Sequence, residues 1–280
     1  MLQKRYDVLV TYRDSASNLF AMVQGVFGRR IPFVMLNLLW RIPEGRFARL
    51  IRKINLKILI RGVSRIAVFA SHEIDGYYKH FQLPREKFVY IPYYFTPAAT
   101  SPDIEEGDYI FSGGHAAYRD YWTLINAVRD SGIPCRIATQ APEYFKGKDI
   151  PAHVQIFRLP EEEYFQCMAQ CKMVVIPLLG DHFRSTGQRT YLNAMLMGKP
   201  VIVCDTEGIK DYMENNVDGI ILPPADTEAL KAAIRWVMDH PVEARAMGER
   251  AREKAKTFTI DRTMKHIVDL CEQEARKVKS

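Results

Sequence analysis

Asp108-Tyr-Ile-Phe-Ser-Gly-Gly-His-Ala-Ala-Tyr-Arg-Asp-Tyr-Trp-Thr-Leu-Ile-Asn-Ala-Val128 decides how the chain is read. Its apolar start reads as a buried strand ending at Ser112. Gly113 and Gly114 then allow a tight turn and a close backbone approach, and helical spacing begins near Arg119. In an open parallel sheet such a turn lies at the carboxyl edge of the strands, where ligands bind. The helix N-terminus brings unpaired N–H groups and positive partial charge, and Arg119 a fork of donors suited to phosphate. The alternative is an ordinary tight turn with Arg119 paired to a carboxylate.

A second stretch of the same kind lies downstream, Ile176-Pro-Leu-Leu-Gly-Asp-His-Phe-Arg-Ser-Thr-Gly-Gln-Arg-Thr-Tyr-Leu-Asn-Ala-Met-Leu-Met-Gly-Lys-Pro-Val-Ile-Val-Cys-Asp205. A strand enters a polar loop, and a helix starts near Thr186 with Ser185 or Thr186 as its cap and ends at Gly198. The Ser185-Thr186-Gly187-Gln188 tip exposes backbone N–H groups with no bulky side chain in front of them. Asn193, about two turns further on, is placed to reach a nucleotide hydroxyl. Two anion-ready helix ends in one sheet are better explained by one shared diphosphate than by coincidence.

Outward from these stretches, strands are expected at Asp108–Ser112, Pro134–Thr139, Val154–Phe157, Lys172–Pro177, Pro200–Cys204 and Gly219–Leu222, with helices between them. Asp226 is placed to cap the helix Thr227–His240, a further helix covers Pro241–Lys256, and a last one covers about 261–277. Upstream, strands at Tyr6–Tyr12, Ile31–Leu39, Arg65–Ala70 and Phe88–Pro92 alternate with helices, one of them capped by Ser71. The expected fold class is α/β, with two Rossmann-like parallel-sheet domains. Residues 1–96 form a short, incomplete N-terminal domain and 97–107 a Pro- and acid-containing linker. Residues 108–260 form the C-terminal domain, and 261–280 a final helix.

The composition, 48% hydrophobic and 26% charged over 280 residues, is that of a folded globular chain. Charged residues interrupt every run approaching the ~18 apolar residues a membrane span needs, and the N-terminus lacks the apolar core of a secretory signal. Five scattered cysteines suggest neither a disulfide scaffold nor a zinc site, and a cytoplasmic location is expected. The net charge of +6 conceals an asymmetry: residues 1–66 carry 13 Lys and Arg against Asp7, Asp14 and Glu44. An anionic partner is therefore expected for the N-terminal part. Arg46–Arg65 has helical period, with Phe47, Leu50, Ile51, Ile54, Ile58 and Leu59 on one side and Arg46, Arg49, Lys53 and Lys57 on the other. This is either a helix on an anionic membrane surface or a domain helix with its apolar stripe in the core. No nucleic-acid motif accompanies the charge, so no nucleic acid is expected.

At Asn193-Ala-Met-Leu-Met-Gly-Lys-Pro-Val-Ile202, continuing through Asp218-Gly-Ile-Ile-Leu-Pro-Pro-Ala-Asp226 to Leu230, the chain resembles the family 4 glycosyltransferases of the GT-B fold. It is similar to that family's donor-domain pattern of E-A-M-A-x-G-K-P-V-I and D-G-x-x-G-x-L-V-P-P-x-D. The likeness covers 108–260 well and 6–96 more loosely. It implies transfer of a sugar from a nucleotide-diphosphate sugar, with retention, to a glycan or lipid-linked acceptor. The nucleotide-sugar is a co-substrate; no cofactor and no metal are implied. The family's diphosphate-gripping lysine falls at Arg119, the expected catalytic residue, while its arginine falls at Gly114. The two carboxylates of its E-x7-E motif fall at Ser185 and Asn193. The Gly-Gly-x3-Tyr-Arg-Asp-Tyr and Ser-Thr-Gly-Gln variants look similar to a bacterial subset in which Gln188 is expected to meet the donor. The resemblance implies donor contacts from Gly113, Gly114, His115, Arg184, Ser185, Thr186, Gly187 and Gln188, with Asn193, Thr139, Arg158 and Leu159 at the ribose and base. The N-terminal half is shorter than the family's and lacks its glycine-rich loop, which leaves open a minimal domain, a fragment, or a companion chain that completes it. The alternative to an enzyme is a non-catalytic or split subunit acting as a binding partner at the inner face of the membrane.

Overall fold

The computed structural model describes residues 6–12, 15–28, 31–38, 45–93, 95, 98, 105–180, 184–206 and 208–279. The chain divides into two compact units, residues 1–93 with 261–280, and residues 94–260.

In the first unit, β1 (Leu9–Tyr12), β2 (Phe33–Leu36), β3 (Arg65–Val68) and β4 (Phe88–Tyr90) form a parallel sheet in sequential order. The crossovers are α1 (Ser15–Phe27), α2 (Arg46–Gly62) and α3 (His72–Phe81). Helix α9 (Ile260–Lys279) returns to this sheet, where Ile267, Leu270 and Cys271 pack with Val34, Leu36, Ala67 and Ile91. Its buried Glu274 pairs with Arg65 at 3.5 Å and with Lys277, so the carboxylate is not left desolvated and alone. Ser71 does not cap α3 through its side chain; it has helical backbone angles, which point the hydroxyl away from the free N–H groups. The apolar stripe expected on α2 is divided. Leu56, Leu59 and Ile60 are buried, whereas Phe47, Leu50, Ile51 and Ile54 face solvent.

In the second unit, β5 (Ile110–Gly113), β6 (Cys135–Ala138), β7 (Val154–Phe157), β8 (Met173–Ile176), β9 (Val201–Cys204) and β10 (Ile220–Leu222) form one parallel sheet ordered β10-β9-β8-β5-β6-β7. Helices α4 (Tyr121–Val128), α5 (Glu161–Gln170), α6 (Gln188–Leu196), α7 (Thr227–Asp239) and α8 (Pro241–Ala255) complete it. Fully buried β-branched and apolar runs such as Met173-Val-Val-Ile176 are what a strand covered on both faces requires. The Asp226 carboxylate accepts from Ala229 N at 2.9 Å and caps α7 as expected. Strand order reverses between β5 and β8, so the chain leaves these two neighbours toward opposite faces and a crevice opens at their carboxyl ends. Among the described residues no helix is long and apolar enough to cross a membrane.

Candidate functional site

The strand–turn–helix stretches Asp108–Val128 and Ile176–Asp205 leave β5 and β8, the pair flanking this crevice. They are stitched together by an isolated antiparallel bridge between Arg119 and Leu178 and by Asp120 N donating to Pro177 O at 2.7 Å. Arg119 precedes α4 rather than beginning it, because Asp120 is the cap. Its carboxylate accepts from Thr123 N at 3.2 Å and from Thr123 Oγ1 at 2.6 Å. The amino end of α4, expected to face an anion, is therefore already served by a carboxylate.

Arg119 turns its side chain inward. Nε donates to Gly113 O at 3.1 Å, Nη1 to Tyr118 O at 3.4 Å, and Nη2 to Thr190 Oγ1 at 3.5 Å. The side chain is 7% exposed. Burial pushes its pKa below the ordinary guanidinium value, and the groups acting in the opposite sense are Tyr121, Tyr164 and Cys204, none of them a carboxylate. The expected alternative, an ion pair with Asp or Glu, is not formed among the described residues. A guanidinium stays charged at neutral pH, so this is a desolvated cation without a counter-ion among the described residues.

The glycine pair serves this packing. Gly114 has φ +135°, and a Cβ there would lie 2.6 Å from Arg119 Nη2. A Cβ on Gly113 would collide with the Tyr164 ring. Tyr121 Oη donates to Gly114 O at 2.8 Å from the other side. The close approach that glycine allows is thus made first by the protein's own side chains.

Across the crevice, Gly187 caps α6 with φ +86° and without any side-chain hydrogen bond. Ser185 and Thr186 were the expected caps; the chain instead enters the helix through the left-handed conformation at Gly187, which sets them one and two residues outside it. A Cβ at Gly187 would come 3.6 Å from Arg119 Nη2, so this uncapped helix end faces the guanidinium.

Beside the pair lies a cavity of about 310 Å³, lined by Gly114, His115, Ala138, Thr139, Gln140, Leu159, Glu161, Tyr164, Phe165, Arg189 and Thr190. This falls at the lower end of the sizes of small-molecule sites. Of the expected residues, Gly114, His115, Thr139 and Leu159 come together here. His115 is exposed and its Nδ1 accepts from Ala117 N at 3.2 Å. Gln188 is buried in the first turn of α6. Arg184 lies in the loop before it, with a buried Nη1 that has no hydrogen-bond partner among the described residues.

Of the four residues expected at the ribose and base, two do not line this cavity. Asn193 is buried: its Oδ1 accepts from Ala98 N at 3.1 Å, its Nδ2 donates to Arg189 O at 2.8 Å, and it lines a different cavity. Arg158 is exposed and bonds to Gln140 O and Glu143. His182, in the same loop as Arg184, lies outside the described residues. Sequence reasoning missed Tyr164, Thr190 and the rim pair Arg189–Glu161 at 2.7 Å. Only the bare Gly113 hinted at a ring against it. Among the described residues no group of three or more His, Cys, Asp or Glu could hold a metal ion.

Residues 126–240 match the family model described as Glycosyl transferases group 1. The chain is 24% identical over 175 residues to the O-antigen chain mannosyltransferase C of Escherichia coli, covering 59% of this chain and 45% of that protein. It is also 24% identical over 154 residues to the D-rhamnosyltransferase WbpZ of Pseudomonas aeruginosa, covering 52% of this chain and 40% of that protein. The chain thus spans less than half the length of these relatives. Among solved structures, Anabaena HepE in complex with UDP superposes with a TM-score of 0.78 at 16% identity, over 97% of this chain and 80% of that one. Sucrose-phosphate synthase from Thermosynechococcus elongatus gives 0.75 at 17% identity, over 96% and 73%. The fold is that of the GT-B class.

Proposed function

We propose that the chain transfers a sugar from a nucleotide-diphosphate sugar to a glycan or lipid-linked acceptor, with retention of configuration. The observation that carries this is Arg119, a buried guanidinium with no carboxylate partner among the described residues, facing the uncapped end of α6 in the crevice between β5 and β8. A diphosphate is the ligand that satisfies both at once: the guanidinium gains a counter-ion and the helix end gains acceptors. In the reaction, negative charge grows on the departing diphosphate as the glycosidic bond breaks. Arg119 and the α6 amides, fixed before the substrate arrives, stabilise that charge without reorganising. The acceptor's proton passes to the leaving phosphate oxygen, so the reading requires no general base from the protein.

The cavity beside Thr139 and Leu159 takes the nucleoside, and His115, Arg184 and Gln188 are the side chains assigned to the phosphates and sugar. The relatives described as a mannosyltransferase and a rhamnosyltransferase, and the neighbour in complex with UDP, support this substrate class. The proposed location is the cytoplasm, at the inner face of a membrane reached through Arg46–Arg65. Isothermal titration with UDP- and GDP-sugars tests the reading: binding is expected, and none at millimolar concentration contradicts it.

A second reading, a binding or partner subunit, is favoured by one feature. The positions resembling the family's two carboxylates are Ser185 and Asn193, and Asn193 is engaged by backbone groups of Ala98 and Arg189. Nucleotide binding with neither transfer nor hydrolysis of the sugar would select it.

A further inference from the structure

Helices α1 and α2 meet backbone to backbone. A side chain on Gly25 would collide with the Ile58 carbonyl, and one on Gly62 with the Ala21 carbonyl. Gln24, buried between them, donates from Nε2 to Gly62 O at 3.1 Å and to Ile31 O at 3.3 Å, and accepts from Ile31 N at 3.1 Å. The pair is therefore a fixed layer, with Ser17, Ala21 and Gln24 of α1 and Leu56, Leu59 and Ile60 of α2 turned inward.

Its outward side is apolar. Leu19, Val23, Val26 and Phe27 recur on one face of α1, and Phe47, Leu50, Ile51 and Ile54 on one face of α2. Phe27 is 73% exposed and Phe47 75%. So many large apolar side chains on two touching helices mark a contact surface. Neither helix contains an acidic residue, and on α2 a cation precedes an exposed apolar residue at Arg46-Phe47, Arg49-Leu50 and Lys53-Ile54. Arg46, Arg49 and Lys53, with Leu50, His80 and Phe81, line a cavity of about 330 Å³ whose wall has no carboxylate among the described residues.

We infer that the outer face of α1 and α2 together is a membrane-docking surface, whose exposed apolar side chains enter the acyl boundary of an anionic bilayer while Arg46, Arg49 and Lys53 take lipid phosphates at the cavity beside them. This gives the membrane association proposed above a surface of two helices rather than one. The row of cations flanking the apolar face of α2, with no acidic residue on either helix, decides the occupant. A headgroup layer seats such cations beside the apolar residues that insert, whereas the buried core of a protein interface is depleted of charge, lysine above all. Attraction to the negative leaflet brings the face down, and apolar insertion holds it there.

The test is flotation of the 280-residue chain with phosphatidylcholine vesicles containing or lacking phosphatidylglycerol. The protein is expected to float with the anionic vesicles only. Replacing Arg46, Arg49 and Lys53 together by Gln should lower the partition at least about tenfold. Leu50→Glu on α2 and Val26→Glu on α1 should each lower it about tenfold as well, with unchanged circular dichroism. Loss in Leu50→Glu but not in Val26→Glu overturns the two-helix surface. No flotation on anionic vesicles overturns the docking altogether, as does a wild-type dimer that Leu50→Glu separates without any vesicle binding. Titrating nucleotide into the same preparations keeps the outcome apart from the sugar-transfer reading, because a chain that binds UDP yet never floats contradicts only the membrane surface.

Discussion

The amino ends of α4 and α6 lie after neighbouring strands of one sheet, yet they are finished differently. At α4 the Asp120 carboxylate accepts from Thr123, and the turn before it is packed by Tyr121, Tyr164 and Arg119. At α6 the cap is Gly187, with no side chain to serve the helix end and the Arg119 guanidinium beside it. One end is a closed structural joint, the other an unfinished electrostatic arrangement. Buried Glu274 and Asp218 pair with Arg65 and Lys254, and by contrast a buried charge left unpaired among the described residues is where a ligand belongs.

The largest effect expected comes from removing the unfinished charge. Arg119→Met should weaken UDP or GDP binding by about 100-fold, the equivalent of about 3 kcal/mol for charge-assisted hydrogen bonds, as read by isothermal titration. The same variant should unfold no earlier than the wild type, since an apolar side chain of similar length removes a desolvated, unpaired cation. A large fall in melting temperature would mean that the guanidinium is structural.

Completing the arrangement from within should also abolish it. Thr190→Asp places a carboxylate next to Nη2 and in the first turn of α6, where negative charge is favoured. The apo protein is expected to gain about 1 kcal/mol in denaturant unfolding, and to lose the thermal stabilisation that inorganic pyrophosphate gives the wild type. At the closed end the opposite pattern is expected: Asp120→Ala should cost about 1 kcal/mol of stability through loss of the cap while leaving nucleotide affinity within about twofold. The smallest effect belongs to Arg158→Ala. Its exposed pairing with Glu143 is worth no more than about 0.5 kcal/mol, and although it bonds to Gln140 O it does not itself line the cavity, so nucleotide binding is expected to stay within about twofold.

The contrast between the two helix ends was only half legible in the sequence. Strand–turn–helix order could be read from apolar runs and glycines, and Val154–Phe157 and the Asp226 cap fall where their patterns place them. These features are local. What could not be read depends on pairing across the sheet. Nothing in Asp108–Val128 says that β5 neighbours β8, and so nothing there puts Arg119 beside Thr190, 71 positions away. Tyr164 sits in an acidic helix without any motif and is recognisable only by the glycine it lies against. Asp120 and Asn193 carried the right chemistry for a ligand, but the backbone claimed both first. The stripe on α2 left two readings open for a related reason: helical period shows that a face is apolar, not whether a neighbour covers it.

Comparison of UDP and GDP with uridine and guanosine, titrated into wild type and Arg119→Met, tests the central claim most directly. The account predicts that the wild type binds the diphosphates far more tightly than the bare nucleosides, and that the variant loses this difference. Equal preference for the diphosphates in both proteins would contradict it, because the buried guanidinium would then contribute nothing to holding phosphate.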